Sequence, residues 1–277
     1  MQLFVDQLTN VDFSFLHAER GMLGETWLAS ALLDGAVDDE GMICDFSIVK
    51  RTLRNWLDDE VDHRLLVPTQ SPALELKQEG DQISLTWQFS DQSLSVTGPA
   101  QAFALVDAES ITAESVAVWC KLKLKDHFPV NVEQLTLSFE TEAIAGAFYH
   151  YSHGLKLHNG NCQRIAHGHR SRILIWLNEE RSLELEQLWA QRWQDIYLGF
   201  DEDVVGYEDG QIHFAYEAAQ GHFELSMPAS SCYLIGTQTT VEFLAEHLAD
   251  AIKQQHPQAQ VKVKAFEGIN KGAISTR

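Results

Sequence analysis

Two stretches of forty residues decide the fold of this chain. Residues 80–119 read GDQISLTWQFSDQSLSVTGPAQAFALVDAESITAESVAVW, and residues 209–248 read DGQIHFAYEAAQGHFELSMPASSCYLIGTQTTVEFLAEHL. Gln82 of the first stretch recurs as Gln211, and Pro99 recurs as Pro228 at the same spacing. A spacing that holds across separate landmarks indicates an internal repeat of a whole structural unit. We therefore expect two copies of one fold.

The repeat continues on both sides of these stretches. Further matches are Thr112–Glu114 with Thr240–Glu242, LTLSFET ending at Thr141 with VKVKAFEG ending at Gly268, and FSFLH ending at His17 with YHYSH ending at His153. A chain of 277 residues also exceeds the usual size of one domain. We place the boundary near residue 141, which gives a first copy at 1–141 and a second copy at 142–277.

Each copy is predicted to be a mixed α+β unit. Alternating or continuous apolar runs of strand length predict strands at Ser171–Leu177, Ile83–Phe89 and Val261–Phe266. Helices are predicted to begin after Asp45, Thr112 and Thr240, and the first should bury Phe46, Val49, Leu53 and Trp56. The fold class we expect is an antiparallel sheet with helices on one face, occurring twice.

Composition limits the possible partners. With a formal net charge of −20 and a pI near 4.8, the chain lacks the basic field that nonspecific binding to nucleic acid or an anionic membrane requires. No apolar run is long enough to span a bilayer, and no signal peptide is apparent. The four cysteines show no paired spacing, which is typical of free thiols in a reducing compartment. We expect a cytoplasmic protein.

Residues 152–176, SHGLKLHNGNCQRIAHGHRSRILIW, hold a cluster of histidines and a cysteine. His167 and His169 share a face if the segment is extended, and His153 supplies a third imidazole. Three protein nitrogens with an open fourth position are typical of catalytic zinc, so these three histidines are the predicted ligands. His158 is a weaker alternative ligand. The other histidines, His127, His150, His213, His222, His247 and His256, are expected at the surface or in loops.

The wider pattern resembles the 6-pyruvoyltetrahydropterin synthase and 6-carboxytetrahydropterin synthase family. The matching pieces are an aromatic residue four positions before His153, Cys162 followed by His167-Gly-His169, GMICDF at 41–46, Lys50, the pair Asp62-His63, Thr112 with Glu114, and a strand ending in Glu140. The resemblance covers most of both halves and implies tandem tunnelling-fold (T-fold) units that assemble into barrels.

Neither half carries the whole motif set. The first half has GMLGETWLAS where the family has Cys and His-Gly-His, and the second half lacks an Asp-His pair. The family builds its active site across subunit interfaces, so these losses leave one composite site. The resemblance implies that His153, His167 and His169 bind Zn²⁺, that Cys162 and His63 exchange protons with the substrate, and that Asp62 supports His63.

The resemblance also implies a substrate, 7,8-dihydroneopterin triphosphate or a related pterin, and a zinc-dependent lyase activity. The residues do not separate a 6-pyruvoyl from a 6-carboxy product, although the composition favours the carboxy route toward deazapurines and queuosine biosynthesis. A buried carboxylate would bind the pterin ring, with Glu267 favoured over Glu140. Further candidates for substrate binding are Glu242, Thr240 and Glu114.

Two alternatives of other classes stay open. One is a catalytically decayed pterin- or nucleotide-binding assembly protein, in which Asp62-His63 would lie far from Cys162. The other is a different activity of the same fold, such as an aldolase or a purine-ring hydrolase.

The oligomeric state follows from the sheet edges and the resemblance. Open sheets expose edges that closure into a barrel removes, and members of the family stack threefold rings in pairs, so we expect a homo-oligomer, a trimer of tandem chains.

Overall fold

The computed structural model describes all residues from Met1 to Arg277. The first half contains β1 (Gln2–His17), β2 (Gly21–Gly35), α1 (Phe46–Glu60), β3 (Leu65–Pro68), β4 (Leu74–Glu79), β5 (Gln82–Phe89), β6 (Gln92–Pro99), β7 (Phe103–Val106), α2 (Ala113–Leu124) and β8 (Val132–Thr141). The second half contains β9 (Phe148–His153), β10 (His167–Leu177), β11 (Glu180–Arg181), α3 (Leu183–Arg192), β12 (Ile196–Phe200), β13 (Val204–Glu208), β14 (Gln211–Ala218), β15 (Gly221–Pro228), β16 (Cys232–Ile235), α4 (Val241–Gln255), β17 (Val261–Phe266) and β18 (Gly272–Thr276).

The two halves repeat one order of elements. Each begins with a hairpin, continues with a helix and a short strand, adds a three-stranded meander and another short strand, and then has a helix and a strand that pairs with the hairpin. The second half adds β11 after the hairpin and β18 at its end. The strand orders agree as well, because β7-β3-β1-β2-β8 in one sheet corresponds to β16-β12-β9-β10-β17 in another. The predicted α+β class of antiparallel sheets with helices is confirmed, and the short strands β3, β7, β12 and β16 add parallel pairs at one side of each sheet.

The halves are joined by a shared sheet. The meanders of the two halves form one six-stranded sheet in the order β13-β14-β15-β6-β5-β4. Its central junction pairs Glu224–Ser226 of β15 with Ser95–Thr97 of β6 in antiparallel fashion. A hydrophobic cluster with members from both halves, including Trp87, Phe214 and Phe223, packs beside this sheet. The first and second halves also each bury a separate core under their own helices.

The two long hairpins cross at close range. A Cβ atom on Gly24 of β2 would lie 1.8 Å from the carbonyl oxygen of Tyr151, and one on Gly168 of β10 would lie 2.7 Å from the Cα atom of Gly24. Only residues without a side chain allow backbones to approach so closely. The hydroxyls of Ser14 and Ser152 are hydrogen bonded at 2.7 Å across the same junction. This crossing brings the ends of β1 and β10 together.

Helix α1 starts as predicted, and its buried face differs from the prediction at Phe46. Asp45 caps it by accepting a hydrogen bond from the main-chain N–H of Ser47. Val49 and Leu53 are fully buried together with Leu57, whereas Phe46 remains 49% exposed. The prediction that Phe46 belongs to the buried face was wrong, because the first residue of this helix projects beyond the sheet that covers the following turns.

Candidate active site

Three imidazoles converge where strands β9 and β10 meet. His153 ends β9 and pairs in register with His167, the first residue of β10, and His169 follows on the same face. One ring nitrogen from each histidine lies within 4.8 Å of those from the other two, and all three side chains are fully buried. The Nε2 atoms of His153 and His169 are 3.3 Å apart.

Main-chain carbonyls fix the tautomers of two of these histidines. His153 Nδ1 lies 3.0 Å from the carbonyl oxygen of Thr239, and His167 Nδ1 lies 2.9 Å from that of Arg164. Because a carbonyl oxygen only accepts, both Nδ1 atoms must carry the proton, and both Nε2 atoms must present lone pairs. His167 Nε2 is buried and has no hydrogen-bond partner. This arrangement is suited to binding a cation.

Burial keeps these rings neutral. The pKa of His153 and that of His167 are held well below the usual histidine value, first by burial and then by the neighbouring imidazoles. Neutral imidazole is the form that binds metals. The set therefore fits a divalent metal that prefers nitrogen ligands, with room for one further ligand.

Cys162 lies in a short 3-10 turn, Asn161–Gln163, in the loop that joins β9 to β10. Its carbonyl oxygen accepts a hydrogen bond of 2.9 Å from the main-chain N–H of Leu155, which ties the turn to the end of β9. The residue is half-buried and its thiol is free. Loop and strand therefore present Cys162 and His167 to the same space.

The first half supplies Asp62 and His63 from the turn after α1. His63 has a positive φ of 56°, a conformation that non-glycine residues adopt rarely and that tends to occur at functional sites. Its Nδ1 contacts Asp62 Oδ2 directly. The main-chain N–H of His63 donates to the carbonyl oxygen of Asp12 over 2.6 Å, and the N–H of Asp12 donates to Asp62 Oδ1 over 2.7 Å.

The structure brings the two sets together within one chain. His63, Cys162 and His167 each place a ligand atom within 4.8 Å of the other two, and the rings of His63 and His167 have centroids 5.1 Å apart. Burial by itself would lower the pKa of His63, but its hydrogen bonds to Asp62 and Cys162 raise it to about 10. His63 is consequently protonated at neutral pH.

The two candidate anchor carboxylates have different surroundings. Glu267 follows β17 and places Oε1 3.8 Å from His169 Nε2, with 23% of its side chain exposed. Glu140 lies opposite Leu28 in the β2–β8 pairing, and its exposed side chain makes no hydrogen bond or ion pair. Only Glu267 borders the imidazole cluster.

The other predicted substrate-binding residues lie at helix starts. Thr240 precedes α4 and follows Thr239, the partner of His153, so the start of α4 adjoins the cluster. Glu242 is exposed in the first turn of α4. Glu114 is exposed in the first turn of α2, in the other half, where Thr112 forms a capping box with Ser115.

Sequence reasoning missed Asp12, which is 1% exposed and lies 3.2 Å from His169 Nδ1. The available signal was a carboxylate flanked by Val11 and Phe13 in an apolar strand, since buried acids require partners. The expectation that His150 lies at the surface was also wrong. It is 8% exposed, and its Nδ1 is 2.8 Å from the Gly24 carbonyl oxygen, because the hairpin crossing covers this strand.

Comparison with known proteins points to one family. Residues 17–150 match the model of the family described as 6-pyruvoyl tetrahydropterin synthase, just under half of the chain. This part of the chain is similar to that family. The match supports a pterin-processing lyase of the tunnelling fold. A comparison with curated proteins gives no match.

Solved structures similar to the chain include two 6-pyruvoyl tetrahydropterin synthases from malaria parasites. The Plasmodium vivax protein is 17% identical, with a TM-score of 0.39, and the alignment covers 50% of this chain and 97% of that one. The Plasmodium falciparum protein is 16% identical, with the same TM-score and coverages.

In the present chain, none of the helices combines the length and apolar character that crossing a membrane requires.

Proposed function

We propose that the protein is a zinc-dependent lyase that acts on 7,8-dihydroneopterin triphosphate or a related pterin. The proposal includes two copies of the fold, at residues 1–141 and 142–277, that contribute complementary parts of one site. The observation that carries it is the approach of His63 from the first half to Cys162 and His167 from the second, within 4.8 Å. The alternative of a decayed binding protein predicts that these groups lie apart, so this proximity supports an enzyme.

The zinc ligands in this proposal are His153, His167 and His169. The Nε2 atoms of His153 and His169 are 3.3 Å apart, and His167 Nε2 is buried without a hydrogen-bond partner. Three imidazole nitrogens with an open position form a donor set typical of catalytic zinc. When bound, zinc would act as a Lewis acid that lowers the pKa of substrate hydroxyls and stabilises developing negative charge.

Cys162 and His63 would perform the acid–base steps. Because Asp62 holds His63 Nδ1, the Nε2 atom of His63 is the one left to face Cys162 and the substrate. Cys162, which lies beside His63, would in its thiolate form remove a proton from a carbon or hydroxyl of the substrate's side chain. His63 would transfer the second proton, and Asp62 would orient its ring.

Glu267 is the proposed anchor for the pterin ring. A carboxylate accepts two parallel hydrogen bonds from adjacent N–H groups, and the 2-amino and N3–H groups of a pterin present such a pair. Glu267 lies beside His169 and is partly exposed, so it can bind a ring whose side chain extends toward the imidazoles. Thr240 and Glu242 would add polar contacts from the start of α4.

The proposal extends to assembly. Each sheet of the chain ends in unpaired edge strands, β7 and β8, β16 and β18, and β13 and β4. Edge-to-edge association would pair these edges, and three chains would supply six T-fold units. A mass near three times 31.2 kDa in size-exclusion chromatography with light scattering supports the trimer, and a monomer mass contradicts it.

The function is tested by incubating zinc-loaded protein with 7,8-dihydroneopterin triphosphate and separating pterin products by chromatography. We expect time-dependent formation of either a 6-pyruvoyl or a 6-carboxy tetrahydropterin, and the product identifies the subtype. Zinc-free protein prepared with a chelator serves as the control and should be inactive. Substrate that binds but remains unchanged would favour the binding protein.

A further inference from the structure

Asp12 contacts residues of the site from both halves of the chain, although it belongs to none of the predicted motifs. It lies on β1 in the first half, whereas the histidine nearest to its carboxylate, His169, lies on β10 in the second half. Asp12 is 1% exposed. A carboxylate that is buried to this degree requires compensation by hydrogen bonds and positive charge.

The side chain of Asp12 is held from several directions. Its Oδ1 accepts a hydrogen bond of 2.5 Å from the Thr26 hydroxyl and lies 3.2 Å from His169 Nδ1. Its Oδ2 lies 3.0 Å from Lys271 Nζ and 3.3 Å from Asn10 Nδ2. The ammonium of Lys271 carries a positive charge, and this charge together with the two hydrogen-bond donors stabilises the ionised form of the side chain. The group is therefore a carboxylate.

An ionised carboxylate only accepts hydrogen bonds, which has a consequence for His169. The ring nitrogen that faces Asp12 is Nδ1, which lies 3.2 Å from Oδ1 and has no hydrogen-bond partner of good geometry, while Nε2 faces His153. A proton on Nδ1 is the form that a neighbouring carboxylate favours, and it leaves the lone pair on Nε2. A carboxylate that accepts from the outer nitrogen of a ligating histidine fixes the ring and makes the inner nitrogen a stronger donor. Among the three histidines, only His169 has a carboxylate in this role.

The main chain of Asp12 forms hydrogen bonds to the acid–base pair, Asp62 and His63. Its N–H donates to Asp62 Oδ1 over 2.7 Å, and its carbonyl oxygen accepts from the His63 N–H over 2.6 Å. The turn at Glu267 and Gly268 also closes on this residue, since a Cβ atom on Gly268 would lie 2.4 Å from Asp12 Oδ1. One residue thus adjoins the histidine cluster, the acid–base pair and the proposed anchor.

We propose that Asp12 is the positioning residue of the composite site, with its carboxylate orienting His169 toward the metal and its main chain orienting the Asp62–His63 pair. The inference rests on the proposed function, because it assigns Asp12 a role toward the zinc that His169 would bind. It also predicts a separation of effects. Replacing the carboxylate alters metal binding, while the main-chain contacts to Asp62 and His63 persist.

The test is zinc affinity of Asp12→Asn, measured by competition with a chromophoric chelator. We expect zinc binding about 10–100-fold weaker than in the wild type. The visible d–d absorption of the Co²⁺-substituted protein should also change, because one ligand is reoriented. At saturating zinc, kcat should return to within a few-fold of the wild-type value. The matched control is Glu25→Gln, which neutralises a buried carboxylate on the adjacent strand that contacts no metal ligand and should leave zinc affinity unchanged.

A second pair of variants covers the case in which Asp12→Asn fails to fold. Thr26→Val keeps the carboxylate but removes the hydroxyl that orients it, and it should weaken zinc binding several-fold, whereas Thr26→Ser should not. If the wild type binds zinc and Asp12→Asn binds it with the same affinity, this inference alone is overturned. If only Thr26→Val folds, unchanged zinc affinity in that variant has the same meaning. A wild type that binds no zinc overturns the proposed function and the role of Asp12 with it.

Discussion

The β1–β2 and β9–β10 hairpins have the same register but different chemistry. His17 pairs with Gly21 at the end of the first hairpin, and His153 pairs with His167 at the corresponding place in the second. His17 Nδ1 accepts hydrogen bonds from the main-chain N–H groups of the turn that follows it. One histidine therefore stabilises a turn, while its counterpart lies in a cluster of imidazoles.

The pair two positions further along each hairpin, on the same face, shows what replaced the missing ligands. Phe15 pairs with Leu23 in the first hairpin, where Tyr151 pairs with His169 in the second. Phe15 and Leu23 belong to the hydrophobic core of the first half. One backbone framework can thus hold either a buried apolar face or a buried polar cluster, and the side chains decide which one it holds.

The largest expected effect separates the two histidines at matched positions. His167→Ala should abolish zinc binding, because two remaining imidazoles do not form a stable site. His17→Ala should leave zinc at about one per chain, since no other imidazole approaches that position. The measurement is metal content by mass spectrometry after dialysis. Two zinc ions per wild-type chain would contradict the difference between the hairpins.

The second prediction separates the metal from the acid–base groups. Cys162→Ala and His63→Ala should each retain zinc, yet turnover should fall by about 10²–10⁴, the range typical of losing a general acid or base. Steady-state kinetics on zinc-saturated protein provides the measurement. Cys232→Ala is the control, because this thiol belongs to neither group of potential metal ligands and contacts the Pro228 carbonyl oxygen instead, so the variant should preserve activity. A Cys162 variant with normal turnover would exclude its role as the base.

The third prediction concerns the place where the hairpins cross. Gly24→Ala should destabilise the protein by about 3 kcal/mol or more, because the new methyl group would overlap the carbonyl oxygen of Tyr151 and the backbones would have to move apart. Gly206→Ala is the control, since its Cβ atom would meet nothing closer than 3.9 Å. Urea denaturation measures both variants. Equal midpoints would show that the crossing is looser than the structure indicates.

The smallest effect is a pH dependence at Glu25, which occupies the position of Ser171 in the other hairpin. Burial raises the pKa of Glu25 to about 7, so the folded state binds the proton more tightly than the unfolded state. The contribution of Glu25 to stability is therefore present below pH 4.5 and is lost as the pH rises toward 7.

Glu25→Gln keeps the side-chain oxygen that accepts from the Thr26 N–H but cannot ionise. Relative to the wild type, this variant should gain about 1–3 kcal/mol of unfolding free energy between pH 4.5 and 7. Denaturation midpoints across this pH range provide the measurement. A constant difference between the two proteins at every pH would show that Glu25 does not titrate in this window.

The sequence by itself determined the local structure and the residue types of the site. Strand and helix positions followed from patterns that act over a few residues, such as the Asp45 cap and the alternation in Ile83–Phe89. The grouping of His153, His167 and His169 also followed from local spacing, because a hairpin places the ends of its two strands side by side. The repeat indicated that the second half follows the plan of the first.

Only the tertiary structure decided which distant groups meet. Asp12 and His169 are far apart in sequence, and their contact depends on the crossing at Gly24 and Gly168, which no local pattern encodes. Glu267 rather than Glu140 neighbours the cluster because β17 pairs with β10, which carries His169, whereas β8, which carries Glu140, pairs with β2. A buried charge is tolerated only when its partners are already in place, so the position of Asp12 is a property of the assembled fold.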